Sequence, residues 1–85
     1  MDAGPQNKFG LTRSFAAMTG RVDKPEYAQQ GISALKDLGI KYKQFGVGPF
    51  VTGLLTTIKG QREKMNDAAS AKAADEAIKA VNDAK

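Results

Sequence analysis

Neither cysteine nor histidine occurs among the 85 residues. Their absence removes disulfides, thiolate nucleophiles, imidazole acid–base chemistry and the commonest transition-metal ligands in one step. Among the acidic side chains, the close pairs are Asp23 with Glu26 and Asp75 with Glu76. Each has an ordinary place as a helix cap or a solvated charge, and no base, nucleophile or metal set accompanies them. The sequence therefore points away from an enzyme and implies no cofactor.

Long apolar runs are missing too. The longest uncharged run in the apolar centre, Gln44 to Ile58, is 15 residues and holds three threonines, three glycines and a proline. A membrane-spanning helix needs about 20 mostly apolar residues, so no transmembrane span is expected. The opening MDAGPQNKFG lacks the basic segment and apolar run of a secretory signal. The expected location is the cytoplasm, or an assembly made there. Gly46-Val47-Gly48 lacks the third glycine of a dinucleotide fingerprint, and no GxxxxGK[ST] occurs, which leaves a phosphate-loop reading weak.

What is present is helical patterning. Leu11, Phe15 and Met18 recur at i, i+4 and i+7, and Gly20 follows as a stop, which predicts a short helix over about 11–19 behind an irregular N-terminal arm anchored by Phe9. In VDKPEY, Asp23 fits an N-cap, Glu26 the capping-box position, and Val22 with Tyr27 a hydrophobic staple. LKDLGI places Gly39 at a left-handed C′ position. A second helix over about 24–38 results, with Tyr27, Ile32, Leu35 and Leu38 on its core face. IKYKQF then reads as an extended linker or one short strand.

In KQFGVGPFVTGLLTTIKGQREK, Gly48 and Pro49 suit a helix start. On a wheel, Phe50, Val51, Leu54, Leu55, Ile58 and Met65 gather on one side. The other side carries Gly53, Thr57 and Gly60, a strip small enough for another helix to approach closely. Residues 66–85 are rich in alanine and free of glycine and proline, which extends this helix to about 82. Its apolar side shifts, however: Ala71, Ala74, Ile78 and Val81 form a short 3-4-3 seam on another face.

The expected fold is all-α: short helices over 11–19 and 24–38, then one long C-terminal helix over 50–82. Residues 1–65 form the body, and 66–85 a protruding tail of the same domain. The functional expectation is a structural or adaptor subunit of a multi-chain assembly such as a virion. Its candidate interface is Gly53, Thr57, Gly60, Ala71, Ala74, Ile78 and Val81, and its partners are other protein subunits, self or hetero.

The net charge of +4 is unevenly placed: in residues 1–64 basic side chains are twice as numerous as acidic ones, and the rest is nearly neutral. Two alternatives follow from it. One is nucleic-acid binding through Lys41, Lys43, Lys59, Arg62 and Lys64, with Tyr42 and Phe45 for stacking. The other is association with an anionic membrane surface through the amphipathic segment Phe50–Met65.

Overall fold

The structure, a computed structural model, describes residues 5–84, with side chains from Leu11 onward. Every regular element among them is helical: α1 (Pro5–Arg21), α2 (Pro25–Lys41), a 3-10 turn (Lys43–Phe45), α3 (Gly48–Lys64) and α4 (Ala68–Asp83). The three prolines all fall in the first turn of a helix, where the missing N–H costs nothing and the fixed φ is already helical. The all-α expectation holds, but the four helices are of similar length.

Three boundaries differ from those expected. α1 begins at Pro5, so residues 5–10 are helix rather than irregular arm; residues 1–4 and the Phe9 side chain lie outside the described parts. α2 opens without a side-chain cap: its N-cap is Lys24, not Asp23, and Tyr27 is exposed. At its other end α2 runs through Gly39 to Lys41, which takes Ile40 and Lys41 out of any linker or strand.

Gly39 is needed for space rather than for φ. It is buried in the middle of the last turns of α2, and a Cβ there would stand 3.0 Å from both Val51 Cγ1 and Val81 Cγ2. Three helices meet at that point, and only a glycine lets their backbones come so near. The left-handed glycine is Gly46 (φ 84°), which turns the chain out of the 3-10 segment into α3.

The expected long helix is broken. Asn66 takes φ 58°, its N–H donates to Glu63 O (3.1 Å), and Asp67 N–H donates to Arg62 O (2.9 Å). This is the Schellman pattern, with asparagine in the left-handed position that it tolerates better than most residues. Asp67 then caps α4, its Oδ1 accepting from Ser70 N at 3.2 Å. The stop expected at Gly39 is thus built at Asn66.

As a result α4 turns back along the body, packing on α3 and α2, while α1 packs on α2 and α3 from elsewhere. The core is Ala16, Ile32, Leu35, Val51, Leu55, Ile58, Ala74, Ala77 and Val81. The seam read as a tail interface is therefore largely interior: Ala71, Ala74 and Val81 are buried and Ile78 is partly so. The change of apolar face near Met65 reflects a change of direction, since a chain that reverses needs its second apolar stripe on a new side.

Candidate docking surface

α1 carries Leu11, Phe15 and Met18 on one side, as the spacing indicates, but that side does not face the core. Leu11 and Met18 are 71% and 69% exposed and Phe15 is 42% exposed, while Ala16, Thr19 and Gly20 are buried. The reason is close approach. Gly31 of α2 receives the Thr19 side chain and Gly20 lies against Gln61 of α3, so contact with two neighbours is made through the small residues of α1. Thr19 satisfies its hydroxyl within the helix, donating to Phe15 O at 2.9 Å.

Turned outward and sideways, Leu11 and Phe15 meet Ala34, Leu35 and Leu38 of α2 along an open groove of about 250 Å³ that Thr12 also lines. Met18 continues the stripe by one turn. A second exposed apolar corner lies at the 3-10 turn, where Phe45 is 71% exposed and its ring centroid is 6.3 Å from that of Tyr42.

The five cations singled out in the sequence are not gathered into a patch. Lys43 Nζ donates to the carbonyls of Val81 (2.7 Å), Asn82 (2.8 Å) and Ala84, holding the C-terminal end of α4. Arg62 is fully buried; Nε and Nη2 donate to Asp67 Oδ2 at 2.9 and 2.7 Å, and Nη1 donates to Val22 O at 2.6 Å. Lys59 pairs with Asp75 at 3.3 Å, and Lys79 joins the same carboxylate at 3.4 Å. Those two lysines hold the Asp75 carboxyl below its ordinary pKa, chiefly through hydrogen bonding by Lys59. Lys41 and Lys64 are exposed, and Lys41 lies 5.4 Å from the centre of the Tyr42 ring.

The small-residue strip of α3 does reach the surface. Gly53 and Thr57 are exposed, Gly60 is half-buried, and a Cβ at either glycine would meet nothing within 4 Å. The threonines here bond their own helix, Thr56 to Thr52 O (2.8 Å) and Thr57 to Gly53 O (3.2 Å). The opposite, apolar face of α3 is not available to a membrane: Val51, Leu55 and Ile58 are core.

A second cleft of about 230 Å³ between α3 and α4 is lined by Lys59, Glu63, Ala68, Ala71, Lys72 and Asp75, and its charges are of both signs. Among the described residues no group of three carboxylates is placed to hold a metal ion, and no helix is long and apolar enough to cross a membrane.

Comparison with protein families, with curated proteins and with solved structures finds no match.

Proposed function

We propose that this chain is a non-enzymatic docking subunit that works bound to a larger assembly, with the apolar stripe of α1 as its contact surface. The observation that carries the reading is the orientation of α1: its alanine, threonine and glycine face the body and its leucine, phenylalanine and methionine face outward. Exposed single hydrophobic residues are ordinary, but three large ones in register on one helix, continuous with an apolar groove, are the usual mark of an interaction surface.

The nucleic-acid alternative draws less support from the geometry. Two of its five cations serve the interior and a third is ion-paired, so the electrostatic footprint that phosphate binding requires is reduced to Lys41 and Lys64.

The test is the native mass of the purified chain beside a Leu11→Asp/Met18→Asp double variant. The wild-type chain is expected in species larger than a monomer or with a co-purifying partner, protein or membrane lipid. The variant is expected as a monomer whose thermal midpoint is nearly unchanged, because surface substitutions usually stay within about 0.5 kcal/mol. Identical mass and partners in both would remove α1 as the contact surface.

A further inference from the structure

From this docking face, on whose identification the inference rests, we infer that the surface met by α1 is anionic lipid: the helix lies in the plane of a membrane leaflet, with Leu11, Phe15 and Met18 entering the headgroup–acyl boundary. Charge selects this occupant. From Ala3 to Val22 there is no acidic residue, while Lys8, Arg13 and Arg21 all lie in α1. Lys8 stands three residues before Leu11 and Arg21, which is exposed, three after Met18; Arg13 turns the other way, 6.0 Å from the centre of the Phe50 ring of α3. On α2, Lys41 and one acid, Asp37, are the charged neighbours of Ala34 and Leu38 along the groove. Cations therefore exceed acids around the stripe.

A second copy of the chain fits this face less well. Two α1 helices brought face to face would oppose cation to cation with no carboxylate on either helix. Nucleic acid fits less well too, since leucine and methionine offer no stacking plane. Leucine and phenylalanine beside arginine, without acids, is the composition of helices that rest in a membrane interface. The apolar stripe spans only two turns, so insertion alone is weak and retention depends on the negative surface potential as well.

The geometry of α1 suits this arrangement. Its inner side rests on the body through small residues, so its large side chains can enter lipid while the helix stays packed on α2 and α3. No unfolding step is required. The side chains concerned are already outside.

The experiment is sedimentation with vesicles of phosphatidylcholine alone and of phosphatidylcholine with about 30% phosphatidylserine, at low salt and at about 0.5 M salt. Retention is expected on the anionic vesicles at low salt, to fall at least about tenfold on neutral vesicles or in high salt, and to be lost in Leu11→Asp/Met18→Asp. Lys8→Gln/Arg21→Gln is expected to weaken retention while leaving the circular dichroism spectrum unchanged.

Equal retention on both vesicles, retention of the aspartate variant, or no retention at all overturns the lipid assignment. If retention is absent while the aspartate variant still changes the native mass, a protein covers the stripe: the docking reading then stands and the lipid one fails. If neither readout responds, both fail.

Discussion

Among the described residues Arg62 is the largest side chain buried completely, and its guanidinium joins three parts of the chain. Asp67, at the start of α4, takes two of its donors, and the carbonyls of Val22, just past α1, and Gly20, in its last turn, lie 2.6 and 3.4 Å from Nη1. Removing one partner leaves an uncompensated buried charge, which costs about 3–5 kcal/mol, so Asp67→Asn is expected to lower urea stability at neutral pH by that order.

Acid should close the gap between variant and wild type. The Asp67 carboxyl is held below its ordinary pKa, first by hydrogen bonding from the Ser70 side chain and then by Arg62, against the opposing effect of burial. Because its folded pKa lies below the unfolded one, its stabilisation is complete above the ordinary carboxylate range and is lost as pH falls through the lowered folded value. Urea titrations at pH 7 and near pH 3 should therefore show a smaller difference in acid; a difference independent of pH would show that the charge on Asp67 is immaterial.

In the sequence Arg62 is one cation among five, because the groups that bury it are separated from it by 40 and 42 residues and no local spacing encodes them. Asn66 and Asp67 were closer to legible. An asparagine suited to a left-handed residue, followed by an N-cap with serine three positions on, marks a stop and a restart even in an alanine-rich stretch.

At the scale of elements, helix existence followed from periodicity, whereas ends and orientations depended on contacts that periodicity does not carry. Leu11, Phe15 and Met18 do share a face; nothing in their spacing says which way it looks. The decisive residues were the small ones, Thr19 against Gly31 and Gly39 against Val51 and Val81, whose role appears only when two helices are side by side.

Asn66→Val is expected to cost about 1–2 kcal/mol, as a β-branched residue resists left-handed backbone, while Asn66→Gly should leave stability unchanged or raised. Equal thermal midpoints for the two variants would mean that the turn tolerates any residue. Val81→Asp puts a charge into the core where α4 meets α2 and α3, and a loss above about 4 kcal/mol is expected, enough to unfold a marginal domain. The same change on a protruding tail would be silent, so a single melting curve separates the two arrangements.

The whole molecule is thin, with Cα extents of 39 × 31 × 16 Å and a radius of gyration of 12.4 Å. A depth of 16 Å holds only two helix layers, since packed axes stand about 8–10 Å apart. Its core is correspondingly one layer of side chains, drawn from all four helices. α4 supplies Ala74, Ala77 and Val81 to it, so a chain ending at Met65 is expected to lack a cooperative thermal transition. Cooperative melting of that fragment would show that residues 1–65 form a body of their own.

The ammonium of Lys43 has a mechanical consequence. By gripping the carbonyls at the end of α4 it ties the start of the α3–α4 hairpin to its finish, across 38 to 41 residues of chain. A tension applied at the C-terminal end reaches this clasp before it reaches the core, and the first rupture is three hydrogen bonds to one freely rotating ammonium group. Once that group lets go, α4 peels from its last turn inward, helix turn by helix turn, so the clasp sets the force at which the hairpin begins to open.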